Sequence, residues 1–351
     1  MRTAILLSVL CVSSLSTACA AKKPPPPVTV QKTSVTPELK AALELATSCK
    51  YEEGAFDPEC DGFKAWQANT ELANAGLLEM VSSEDAKVRA LVVDKLRVQL
   101  TADNIDKESL SLFLDAAEAE KTSPIAKTFA RTVAGIDAAK LGLLDRSIAI
   151  AKAHSASGYQ ETYASALRSE TEADKVVAYA GELAKSEDTA LRHAALRMYE
   201  GLEKTHPEAA CKGMDALRAD KDSAISQQAT SGIAREARCI SQYDGVLTSL
   251  EEMDLPQNPG AAEPFVGTAL EGICRNEEKT SGQRDRSLAL AKKISQTTSI
   301  KADTRSSALS AVLACDPKGG PALLKKFAKD KDATVAERAK SLLESIPKKT
   351  K

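Results

Sequence analysis

Aromatic residues are scarce in this chain of 351 residues, at 4% with a single Trp, and histidine occurs only three times. A core with so few rings rests on aliphatic and small side chains, and the 43% apolar share suits Ala- and Leu-rich helices that approach one another closely. His154, His193 and His206 stand far apart, and none belongs to an HExxH or Cys/His pattern, so no metal site is expected. There is no GxSxG, no GxxxxGK[ST] and no GxGxxG after a strand. A nucleophile elbow and a phosphate-cradling loop are therefore missing, no residue reads as catalytic, and we expect neither an enzyme nor a cofactor. Charge of one sign is lacking too, since 47 basic residues face 49 acidic ones and leave a net charge of −2. Nucleic acid requires a concentrated basic footprint, so it is not an expected partner.

What the chain does have is one piece of text written several times. Glu187 to Leu202, EDTALRHAALRMYEGL, carries a capping Asp188, and its Leu191, Ala195, Met198 and Leu202 share one helix face. Arg192 and Arg197 fall off that stripe and are expected to face water. Related stretches begin at Glu84, Lys221, Lys301 and Lys331. Each has an Asp near its start followed by a pair four residues apart: Val88/Val92, Ile225/Ala229, Thr304/Ala308 and Val335/Ala339. The copy at Asp303 is the loosest, its pair starting one residue after the Asp. Asp188 and Asp222 stand about 34 residues apart, Asp303 and Asp332 about 29, and Asp85 lies some three such units before Asp188. One amphipathic helix cannot bury its stripe alone, so a series implies helices stacked on a shared core.

Units of this length, with an Asp, an aliphatic three residues on and often an Arg, resemble HEAT repeats, the quoted stretches being the second helix of each hairpin. The W-x2-L-G-x2-Y signature of the tetratricopeptide array is missing. The resemblance implies an all-α fold over 37–347, an α-solenoid of HEAT-like helical hairpins whose concave surface binds a protein partner.

The chain opens with Arg2, an apolar run from Ala4 to Val12 and small residues up to Ala21, the layout of a secretory signal over 1–18. That run is too short to span a bilayer. Leu15 to Cys19 resembles a bacterial lipobox, with cleavage before Cys19 and lipidation of its thiol, although Leu15 stands one place earlier than the pattern prefers. Ala20, in place of Asp, implies sorting to the outer membrane. Cleavage after Ala20, leaving a soluble exported protein, is the alternative. Residues 19–36, with Pro24 to Pro27 in a row, read as an extended stalk several nanometres long, at ~3 Å per residue.

Eight cysteines are present; with Cys11 in the signal and Cys19 at the anchor, six remain. An even number in an exported chain implies three disulfides, for which fifteen pairings are possible. Solenoid units touch only their neighbours, which favours Cys49 with Cys60, Cys211 with Cys239 and Cys274 with Cys315, the last two joining adjacent helices. Between Cys49 and Cys60 lies an acidic loop without a calcium-binding register, expected to be a closed surface cap, with Phe56, Phe63 and Trp66 covering the end of the core. The breaker cluster at 255–263 is a candidate sub-boundary. Lys325, Lys326, Lys329 and Lys331 read as a solvated face, and 348–351 as a basic tail. The resulting expectation is a lipid-anchored periplasmic scaffold for a protein partner, of undetermined oligomeric state. The alternative is an envelope ligand-binding protein or an enzyme acting on cell-wall material through a dispersed site.

Overall fold

A computed structural model describes residues 35–70, 72–167, 171–253 and 265–347. Cys19 with the rest of the signal and lipobox, the interruption at 255–263 and the tail 348–351 lie outside the described residues. The described part is all-helical apart from one small hairpin. Its first nine helices are α1 (Pro37–Thr47), α2 (Asp61–Ala68), α3 (Asn74–Met80), α4 (Ala86–Gln99), α5 (Lys107–Ala119), α6 (Ser123–Gly135), α7 (Leu144–Ala153), α8 (Tyr159–Ala166) and α9 (Ala173–Leu183). The rest are α10 (Thr189–Leu202), α11 (Pro207–Leu217), α12 (Ser223–Arg235), α13 (Tyr243–Glu252), α14 (Phe265–Arg275), α15 (Ser281–Gln296), α16 (Ala302–Cys315), α17 (Gly320–Phe327) and α18 (Ala333–Glu344).

From α3 onward the helices pack in two rows. Each even-numbered helix from α4 to α18 touches the next even-numbered one, and each also touches an odd-numbered partner beside it. The odd row runs α3–α5–α7, then α9–α11, and reaches α13 and α15 through a short 3-10 turn at Ala237–Gln242. One apolar core threads from Leu39 to Val312, and a separate cluster of Leu309, Leu324, Phe327, Val335 and Ala339 closes the C-terminal end. Of the repeated pairs, Val92, Ile225, Ala229, Thr304, Ala308, Val335 and Ala339 are buried in that interior, and Val88 packs against it half-buried.

The Asp of each repeat does what its position suggests, with one exception. Asp85, Asp188, Asp222 and Asp332 accept backbone N–H bonds at the starts of α4, α10, α12 and α18, satisfying donors a helix start leaves open. Asp303 instead lies inside the first turn of α16, whose cap is Lys301.

Arg192 departs from expectation. It is only 4% exposed, and its guanidinium donates to both carboxylate oxygens of Asp220, at 2.7 and 3.1 Å, and to the carbonyls of Ser186 and Glu187. The helix wheel sets it off the aliphatic stripe, but that side faces the loop before α12 and not solvent. The same device recurs twice: Arg89 bonds Glu120 at 2.6 Å, and Arg305 bonds Asp330 at 2.6 Å. Each acid in turn accepts the N–H two residues on, from Thr122, Asp222 and Asp332. At these three steps a buried or half-buried arginine ties the start of one even-row helix to the loop that starts the next.

The disulfides join Cys49 to Cys60, Cys211 to Cys239 and Cys274 to Cys315. The last two link neighbours in space that are not consecutive in sequence. Cys211 on α11 reaches over α12 to the 3-10 turn, and Cys274 on α14 reaches over α15 to the end of α16. Three such bonds belong to an oxidising, extracytoplasmic compartment. No described helix is long and apolar enough to cross a membrane.

At the N-terminal end the loop between Cys49 and Cys60 folds further than a plain cap. Tyr51–Glu52 pairs antiparallel with Ala55–Phe56 across a turn at Glu53 and Gly54, both at positive φ, as the type I′ turn of a two-residue hairpin requires. Phe56 stacks on Phe63 with centroids 5.3 Å apart, and Trp66 is buried. Two lysines of α4 finish the cap. Lys87 Nζ donates to the carbonyls of Thr47 and Cys49 at the end of α1, and Lys95 Nζ to those of Trp66, Gln67 and Asn69 at the end of α2. Helix ends leave such carbonyls open, and a cation there also suits the helix dipole.

Candidate functional groove

The surface of the odd row is laced by polar bridges. Arg146 on α7 bonds Asp115 and Ser111 on α5. Lys175 and Glu182 on α9 meet Asp145 and Lys152 on α7, Arg218 reaches Gly245 and Ser249 on α13, and Arg286 on α15 joins Asp244 and Glu251. Among the described residues no hydrogen bond or ion pair joins α9 to α11, and a groove of about 1010 Å3 opens there. Three other depressions on the described surface measure about 290, 260 and 300 Å3.

The walls of the groove follow from sequence periodicity. Val177, Gly181 and Ala184 line one side, and Ala209, Gly213 and Ala216 the other. In each trio the spacing is i, i+4, i+7, a single helix face. Small residues on both faces leave the space between the helices empty. The floor is Tyr199 of α10, whose ring lies against Gly213 so closely that a Cβ there would sit 2.2 Å from the ring carbons. Burial pushes the Tyr199 phenol above its ordinary value, so the floor stays neutral.

Charge is confined to the rim. Lys185 and Lys212 are exposed and form no ion pair, while Glu208, also unpaired, stands in the first turn of α11. His206 occupies the N-cap of α11 without capping it, and its Nδ1 is buried with no hydrogen-bond partner. At the end of α10, Glu203 is half-buried. Burial, aided by Glu236 and Glu200 and opposed by Arg235 and Arg238, pushes its carboxyl up to about 7.

The remaining histidines lie away from the groove lining. His154 stacks on Tyr159 with centroids 3.9 Å apart, its Nε2 lies 2.9 Å from the Ala117 carbonyl, and its Nδ1 accepts the Ala156 N–H. His193 is half-buried on α10. Among the described residues no group of three or more His, Cys, Asp or Glu is disposed to hold a metal ion. Lys325, Lys326, Lys329 and Lys331 are exposed. The six described cysteines are all in disulfides and have no free thiolate to offer. What the groove offers chemically is apolar surface, with the ammonium groups of Lys185 and Lys212, the Glu208 carboxylate and the His206 imidazole at its rim.

Sequence reasoning passed over the groove. The usable signal was the pairing of two small-residue faces in adjacent odd-row helices, Gly181 with Ala184 and Gly213 with Ala216, where neighbouring units carry charged bridges.

No family model and no curated protein matches this chain. Among solved structures it is similar to the crystal structure of an engineered protein from the Northeast Structural Genomics Consortium, at 16% identity over 87% of this chain and 83% of that one, with a TM-score of 0.44. That likeness is too loose to carry an argument about fold or function.

Proposed function

We propose that the chain is an extracytoplasmic scaffold without catalytic activity: a HEAT-like α-solenoid, held to the outer membrane through lipidated Cys19 and a proline stalk, that binds a protein partner in the periplasm. The two-row helix order, and an arginine tie that recurs at three even-row steps, support the solenoid reading, because successive units meet their neighbours in the same order. The observation that carries the binding role is the groove between α9 and α11, an open apolar surface with a charged rim of the kind that marks interaction sites. Disulfide staples suit a protein that must keep an extended surface rigid outside the cell.

The test is photocrosslinking in living cells from Ala216, which is exposed on the groove wall, and from Lys107 at the start of α5 as a control. One protein attached reproducibly at Ala216 and not at the control supports the scaffold. Attachment of glycan or lipid alone from every position probed along the helices overturns it. Metabolic labelling with a fatty-acid probe should tag the chain and fail to tag Cys19→Ser; an untagged wild type makes the protein a soluble export.

A further inference from the structure

The groove also carries information about what would fill it. Its two walls are straight helical faces about two turns long, and its lining has little beyond the rim that could pair with a peptide backbone. An extended segment laid there would leave its N–H and C=O groups unpaired against apolar surface, which carries a desolvation penalty for each buried group. A helix satisfies those groups internally and presents only side chains, and grooves between helices take amphipathic helices through residues at i, i+3 or i+4, and i+7. Gly181, Ala184, Gly213 and Ala216 add no bulk, so the backbone of a third helix could come close. The rim fixes the charge of the visitor. Lys185 stands just beyond the C-terminal end of α9 and Lys212 on α11, neither in an ion pair, and against these two cations the lining has a single acid, Glu208, so the rim stays cationic, whereas each odd-row bridge described above already pairs its cation.

We propose that the groove between α9 and α11 receives an amphipathic helix of a partner protein, apolar stripe inward on Tyr199 and acidic residues flanking it toward Lys185 and Lys212. This rests on the scaffold reading and narrows it to one surface and one kind of ligand. Docking of a helix would cover the apolar groove faces of α9 and α11, which meet each other without a polar bridge.

The experiment is a display selection of helical 16-residue peptides, with stripe and flanking positions randomised, against the whole chain. Selections against Ala216→Trp and against Lys185→Glu/Lys212→Glu run in parallel. Ala216 is exposed, so the Trp variant should melt with the wild type and merely fill the groove. The expected result is enrichment of an apolar i, i+3/i+4, i+7 stripe flanked by Asp and Glu. Ala216→Trp should weaken binding of the winners at least tenfold, about 1.4 kcal/mol, and the charge reversal should turn the selected flanks basic. Basic or neutral flanks from the wild type, Pro-rich winners, no enrichment, or binding unchanged by Ala216→Trp would overturn the proposal. A fluorescent dodecanoate that binds the wild type and not Ala216→Trp, with no helix selected, would give the groove to an acyl chain and also overturn it. A protein partner crosslinked on another face would sink this inference and leave the scaffold standing.

Discussion

At the scale of single residues, the interior holds charge only where it is answered. Glu120 has a side chain 1% exposed. Burial pushes its carboxyl up, yet bonds from Arg89 and the Thr122 amide outweigh that and leave it below its ordinary value. Removing the arginine strands the carboxylate, so Arg89→Met should cost about 3 kcal/mol, and adding Glu120→Leu should recover most of the loss. Urea unfolding of the single and double variants would decide it: additive losses would mean the pair is not coupled. The lowered carboxyl also sets a sign. Its contribution is present above the ordinary carboxylate range and drains away as pH falls through the folded value. Glu203 runs the other way: its folded carboxyl is pushed up to about 7, so stability falls as pH rises from the ordinary value of 4.5 towards 7, and the full penalty stands above that. Glu203→Gln should therefore raise the unfolding midpoint at pH 8 and leave it unchanged at pH 4; an equal shift at both pH values would show that packing and not charge is responsible. The capping aspartates were legible in the sequence because a cap acts within one turn of its own helix. Arg192 was not, since its partner Asp220 lies in the next unit and no local pattern points that far.

Helices were the readable elements, and what joins them was not. A 3.6-residue stripe marks a helix whatever packs on it, so the text around Asp85, Asp188, Asp222 and Asp332 located α4, α10, α12 and α18. The Tyr51–Phe56 hairpin is too short to show alternation, and the 3-10 turn holding Cys239 has no sequence period of its own. The groove is hidden for a related reason: small residues let helices close up, but the Tyr199 ring lies against Gly213 with its hydroxyl near Gly181, filling the depth between α9 and α11. Among the staples, Cys274–Cys315 spans 41 residues and sits beside the end of the main core. In the chain-entropy picture a loop of that size contributes about 4 kcal/mol. Cys274→Ala/Cys315→Ala should accordingly speed hydrogen exchange in α14 to α18 while α4 to α8 keep wild-type protection; uniform loss along the chain would mean that the helices open as one unit.

For the molecule as a whole, the solenoid reading predicts extension. A compact domain of about 315 residues would have a radius of gyration near 20 Å. Small-angle scattering of the chain without its first 34 residues should return a clearly larger value, and one at or below 20 Å would end the solenoid reading.

The order of the disulfides has a consequence for biogenesis. Counting from the N-terminus, the six described cysteines pair first with second, third with fourth and fifth with sixth, so no bond encloses or crosses another. A chain threaded through a translocation pore N-terminus first delivers each thiol's partner before a competing one arrives. An oxidase that simply joins cysteines as they emerge would make this set, and we expect the protein to mature without an isomerase to correct it.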